Sequence, residues 1–170
     1  MNANELKALQ APIKNRYRER PETASITLRA EGKIGEGLTC NIQTGRALIE
    51  AGLHPATGGS GLSVCSGDML LEALVACAGV TLRAVATALD IPLRDATVCA
   101  EGDLDFRGTL AISKEVPVGF HQIRLHFELD TDATKDEIAT LLRLTERYCV
   151  VYQTLAHSPR IDITHRVASQ

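Results

Sequence analysis

The chain has 170 residues, 45% hydrophobic and 23% charged, which fits one folded domain and excludes wholesale disorder. Its formal net charge of −3 supplies no strong basic field for a phosphate backbone, so no nucleic-acid partner is expected. No secretory-signal pattern opens the sequence and none of its five cysteines forms a C-x-x-C pair, so free thiols in a reducing cytoplasm are expected.

Leu6, Leu9, Ile13 and Tyr17 recur at steps of three and four and predict a helix over residues 4–20. Pro12 is expected to bend or split it, because its ring removes a donor and crowds the preceding turn. Lys7, Lys14, Arg16, Arg18 and Arg20 make most of the remaining surface basic. Residues 1–24 therefore read as a helical arm that packs on the domain or on a partner subunit, with the domain itself over 25–170.

Three short strands follow, at Ser25–Glu31, Leu38–Gln43 and Arg46–Ala51. Gly32, Gly35 and Gly37, then Thr44-Gly45, punctuate them as turns of a hairpin meander. Five glycines and Pro55 make residues 52–67 a loop.

Residues 68–89 predict a helix with two apolar stripes. Leu70, Leu74, Cys77, Thr81 and Val85 form one; Leu71, Val75, Ala78, Leu82 and Leu89 form the other. A helix apolar over most of its girth must be enclosed by other protein. Ser66 or Asp68 is expected to cap it. Glu72, Arg83 and the many alanines in the run from Met69 to Leu89 argue against a membrane span, and no membrane partner is expected.

The apolar period then changes to two. Val98, Ala100, Leu104 and Phe106, and later Ile123, Leu125, Phe127 and Leu129, mark the buried faces of two strands with a wet opposite side. Thr134 and Glu137 form a capping box for a second helix, whose inward face holds Ile138, Leu141, Leu142, Thr145 and Cys149. A last strand is predicted over Arg160–Val167. The order β-β-β-α-β-β-α-β indicates an α+β domain, with antiparallel sheets packed around a central buried helix.

Several chemistries lack their motifs. There is no phosphate-binding G-x-x-x-x-G-K-[ST], and Gly58-Gly59-Ser60-Gly61-Leu62 breaks the nucleophile-elbow pattern at its last position. His54, His121, His126, His157 and His165 have no metal-ligand spacing, so neither metal nor cofactor is expected. What remains is sulfur: Cys77 in the middle of the apolar helix and Cys149 at the end of the next. If both helices turn these side chains to one interior, a thiol pair across the core is possible; the alternative is that both are small apolar filler.

Ser66-Gly67-Asp68-Met69-Leu70-Leu71-Glu72-Ala73-Leu74-Val75-Ala76-Cys77 resembles the central-helix motif of the OsmC/Ohr family of hydroperoxide-resistance proteins. Glu146-Arg147-Tyr148-Cys149-Val150-Val151-Tyr152-Gln153-Thr154-Leu155 resembles its second motif, a cysteine at a helix end followed by a small polar segment and a strand. The resemblance spans roughly residues 25–167 and implies an OsmC-like fold in an intertwined homodimer, with active sites at the subunit interface. It implies a thiol peroxidase for organic hydroperoxides. In that scheme Cys77 attacks the peroxide as thiolate and becomes a sulfenic acid, and Cys149 resolves it as a disulfide. A dithiol such as a lipoylated protein would then reduce the disulfide.

The family pattern also pairs an acid with an arginine that activates the thiolate. Here the acid falls at Asp68, one position later than in the family, and Arg29, Arg46 and Arg83 are the candidate arginines. The family proline after the second cysteine is Val150. These departures keep an alternative open: a non-catalytic dimer of the same fold, binding an apolar small molecule at the subunit interface. Cys40 and Cys99 read as packing or partly exposed strand residues, and Glu72 as a solvated or interface carboxylate. Cys65, before the central helix, is a second candidate resolving thiol because a helix start lowers thiol pKa. His54 reads as ordinary loop surface, and Glu146 and Tyr148 as residues that shape access to Cys149.

Overall fold

A computed structural model describes residues 2–20, 31–34, 39–44, 47–111 and 113–167, with backbone alone at 9, 13, 14, 16–18, 31–34, 39–44, 47 and 48. The first helix, α1 (Ala3–Glu19), opens with a reciprocal cap: the Glu5 N–H donates to Asn2 Oδ1 and the Asn2 N–H to Glu5 Oε2, both at 2.9 Å. Pro12 does not split the helix, which runs through it. A single missing donor is absorbed in a 17-residue helix that lies beside the central one.

Strands β1 (Glu31–Ile34), β2 (Thr39–Thr44) and β3 (Ala47–Gly52) form an antiparallel meander, with Gly32 opposite Ile42 and Ile42 opposite Ile49. Residues 25–30 of the first predicted strand lie outside the described residues. β1 instead occupies Glu31–Ile34, where a glycine turn is expected, because the ladder to β2 overrides the weak strand preference of Gly32. The glycine-rich stretch is not wholly loop. It holds a 3₁₀ turn at Pro55–Thr57 and a short strand, β4 (Val64–Cys65), parallel to β3.

β4 leads directly into the central helix, α2 (Ser66–Ala88). The cap is Cys65 and its side chain makes no capping bond, so neither Ser66 nor Asp68 serves as predicted; Asp68 sits in the first turn. Leu74, Ala78, Leu82, Val85 and Ala86 are buried along one side, against β5, α4 and α5. Ala73, Ala76, Val80 and Ala84 form an exposed apolar stripe on another. With 23 residues and an 18-residue window of mean hydropathy 1.8, α2 is the one helix among the described residues long and apolar enough to cross a membrane.

β5 (Asp95–Leu104) and β6 (Phe120–Asp130) form an antiparallel ribbon, with Val98 opposite Phe127 and Ala100 opposite Leu125. Their inward faces pack on α2, while Arg124 on the outer face reaches Glu101 at 3.1 Å and Asp103 at 2.9 Å. Phe106, expected as an inward strand residue, instead begins the short helix α3 (Phe106–Thr109), whose first turn is capped by Asp105. Arg83 holds the α2–β5 connection, donating to the Leu93 carbonyl and, at 3.5 Å, to that of Arg94.

The predicted capping box is formed, with the Thr134 and Glu137 side chains each accepting the other's backbone N–H at the start of α4 (Lys135–Tyr148). Cys149 then adopts an extended conformation and a new helix begins, α5 (Val150–Ala156), where a polar segment and strand are expected. The strand predicted at Arg160–Val167 is also absent. Ile161, Ile163 and Val167 are each at least 81% exposed, since an alternating segment becomes a strand only beside a ladder partner. The observed order after α1 is therefore β-β-β-β-α-β-α-β-α-α, still an α+β fold organised on α2.

Candidate active site

The two sulfurs meet because three helices converge. Cys77 lies mid-way along α2, and Cys149 is the one-residue break between α4 and α5. Its extended backbone (φ −73°, ψ 108°) ends one helix and starts the next, so its side chain doubles as the α5 cap. The Cys149 Sγ accepts the Tyr152 N–H at 3.5 Å and is 1% exposed, in a buried cluster with Leu74 and Ala78.

The Cys77 thiol, half-buried, lies among the Val151 and Val150 N–H groups, the Cys149 thiol and the Thr81 hydroxyl. Burial works against its thiolate, but these donors outweigh burial and hold the Cys77 pKa below the usual thiol range. Cys149 goes the other way. Burial pushes its pKa up, and the adjacent Cys77 charge adds to that, against the lowering effect of the Tyr152 N–H. The arrangement sets a thiol of lowered pKa beside one of raised pKa, which suits one nucleophile and one resolving group.

The supporting residues are placed differently from the cysteines. Asp68 precedes Cys77 by nine residues, about 13 Å and two and a half turns along α2, so it faces the opposite side of the helix. Arg29 and Arg46 lie outside the described residues. Arg83 is committed to the Leu93 and Arg94 carbonyls and does not enter the hydrogen bonds of either sulfur. Cys65, at the start of α2, is about 18 Å along the axis from Cys77, out of reach as a resolving thiol within the chain. Cys99 is exposed on β5, and Cys40 lies on β2. His54 stacks on Phe106 with ring centroids 5.0 Å apart and caps the 3₁₀ turn through the Ala56 N–H.

Beside the sulfurs a groove of about 480 Å³ runs between β6 and α5. Leu74, Ile123, Leu125, Phe127 and Leu155 make it apolar, while His121 and Glu146 bring polar groups to it. It shares Leu74 and Tyr152 with the cysteine surroundings, although neither cysteine lines it. Three neighbours of the Cys77 sulfur escaped the sequence: Thr81 and the amides of Val150 and Val151. Spacing does put Thr81 on the Cys77 stripe, as apparent packing, whereas backbone donors have no side-chain signature at all.

Fold and site together define a small α+β protein with a thiol pair at the junction of its central and C-terminal helices. Residues 59–164 match the family described as OsmC-like protein, and the chain belongs to that family. No curated protein sequence matches it. Among solved structures, an OsmC-like protein from Mycoplasma pneumoniae superposes with a TM-score of 0.67 at 17% identity, covering 79% of this chain and 90% of that one. The organic hydroperoxide resistance protein OsmC from Legionella pneumophila gives 0.61 at 20% identity, covering 78% and 90%. An organic hydroperoxide resistance protein from Elizabethkingia anophelis gives 0.63 at 16% identity, covering 79% and 91%. At these identities the likeness is one of fold.

Proposed function

We propose that the chain is a cytoplasmic thiol peroxidase that reduces organic hydroperoxides. The observation that carries this is the packing of Cys77 against Cys149 in one cluster, with the pKa of the first pushed down and that of the second pushed up. The Cys77 thiolate attacks the outer peroxide oxygen and the O–O bond breaks. Cys77 becomes a sulfenic acid, and the alkoxide takes a proton and leaves as an alcohol. The Cys149 thiol then attacks the sulfenic sulfur, forming a disulfide and releasing water. A dithiol, such as that of a lipoylated protein, exchanges with this disulfide, returning both cysteines to thiols and becoming a disulfide itself.

The site works in a homodimer on this proposal. The exposed stripe Ala73, Ala76, Val80 and Ala84 is apolar and built of small side chains, and the exposure of such a face to water is most simply relieved by a second copy. The groove beside β6 suits an apolar substituent on the peroxide. The non-catalytic alternative predicts a Cys77 pKa at or above that of a free thiol, and the hydrogen bonds around it act in the opposite direction. The test is stopped-flow detection of sulfenic acid after mixing with hydrogen peroxide, an alkyl hydroperoxide and a fatty-acid hydroperoxide. Rapid formation with the organic peroxides is expected; no oxidation by any of the three would overturn the proposal.

A further inference from the structure

We propose that Phe120 is the end-stop of the groove beside β6, and so sets how long an alkyl chain the peroxide can carry. This rests on the peroxidase proposed above and adds the size of its substrate. Ile123, Leu125, Phe127, Tyr152 and Leu155 line the groove and also pack in the cluster that holds Cys77 and Cys149. The groove is thus continuous with the surroundings of the sulfurs, and its occupant is the alkyl chain of the hydroperoxide, with the O–O bond toward Cys77.

The two ends of the groove follow from how α2 lies along the ribbon. Val98 stands opposite Phe127, and a Cβ at Gly79, two residues beyond Cys77, would come 3.8 Å from Val98. That is the sulfur end. Ten residues before Cys77, a Cβ at Gly67 would come 3.4 Å from the Phe120 ring and 3.8 Å from Leu104. Phe120 therefore stands about 15 Å from Cys77 along the helix, at the far end.

Local backbone features seat the ring there. Ile123, Leu125 and Phe127 alternate inward on β6, and strict alternation would turn residue 121 inward and residue 120 outward. The pairing slips instead: Asp103 faces Gln122 and Leu104 faces Phe120, which leaves His121 without a partner across the ribbon. A bulge re-aims side chains, and this one turns Phe120 to the α2 side. Gly102 then gives the ring its seat, because a Cβ at that position would overlap it. With β5 backbone on one side and Gly67 of α2 on the other, the ring is a fixed wall rather than a yielding one.

Straight-chain primary alcohols, the products that straight-chain hydroperoxides would leave, probe the groove without any reaction. Their affinities for the reduced protein, from butanol to dodecanol, are measured by isothermal titration calorimetry. In the parent, affinity should rise about fourfold per added carbon while the chain lies in the groove, then level where it meets Phe120. Phe120→Ala should carry the rise to longer chains. Phe120→Leu should carry it less far, and gives a second variant if the alanine disturbs the fold. Gly102→Ala should displace the break seen in the parent and leave it unmoved in the Phe120→Ala background, since Gly102 is a positioning residue that acts through the ring. A parent series with no rise or no break, or one whose break stays at the same length in both Phe120 variants, overturns the end-stop. A Gly102→Ala shift of equal size in both backgrounds overturns the positioning role. The rate of Cys77 oxidation by straight-chain alkyl hydroperoxides should break at the same length. If the alcohols show the break and no hydroperoxide oxidises Cys77, the end-stop stands and the peroxidase proposal falls. Oxidation that ignores chain length in parent and variants alike does the reverse.

Discussion

The Cys149 sulfur accepts the Tyr152 N–H and packs beside the Cys77 thiol, so the atom that caps α5 also faces the proposed nucleophile. One consequence is an order of reactivity. As pH falls through the lowered pKa of Cys77, its thiolate is protonated and its reaction slows. Cys149, pushed up by burial, stays protonated throughout that window. Limiting iodoacetamide near neutral pH should therefore label Cys77 before Cys149, as read by peptide mass spectrometry. Labelling of Cys149 first would contradict the assignment. Cys149→Ala removes one donor and should raise the pH at which Cys77 reacts.

The two cysteines should fail differently when replaced. Cys77→Ser is expected to abolish peroxide turnover with a dithiol reductant. Cys149→Ser should permit a single oxidation, after which the unresolved sulfenic acid advances to sulfinic acid, a gain of two oxygens on the Cys77 peptide. Sustained turnover in the Cys77 variant would remove the proposed mechanism.

The exposed stripe of α2 makes a prediction about assembly. Val80 is 73% exposed and flanked one turn away by Ala76 and Ala84. Placing a charge there, in Val80→Asp, buries an unpaired carboxylate if a second copy covers the stripe. Light scattering should then show a dimer for the parent chain and a monomer for the variant. A variant that dimerises as the parent does would place the interface elsewhere.

The seam between α2 and α4 should dominate stability. Leu141 is fully buried against Leu82, Val85 and Ala86, with Ile91 and Leu93 completing the cluster. Leu141→Ala is expected to cost about 2–5 kcal/mol in urea unfolding, from lost transfer free energy and the cavity left behind. A loss below about 1 kcal/mol would mean that the site collapses around the smaller side chain.

Local rules made much of this protein legible without coordinates. The three- and four-residue apolar steps located α2 and α4, the alternation located β5 and β6, and Thr134 with Glu137 marked a helix start that the structure reproduces. Each of these is settled by neighbours within a few residues, so the sequence by itself determined them. What only the tertiary structure decided are relations between segments distant in the chain. Residues 160–167 have a strand's pattern but pair with no strand among the described residues, and Phe106 left its predicted strand for a helical turn capped by Asp105. The meeting of Cys77 with Cys149 and with the α5 amides depends on how α2, α4 and α5 pack, and backbone donors leave no trace in side-chain spelling. A period reports which way a side chain faces on its own element, and only packing decides what it faces.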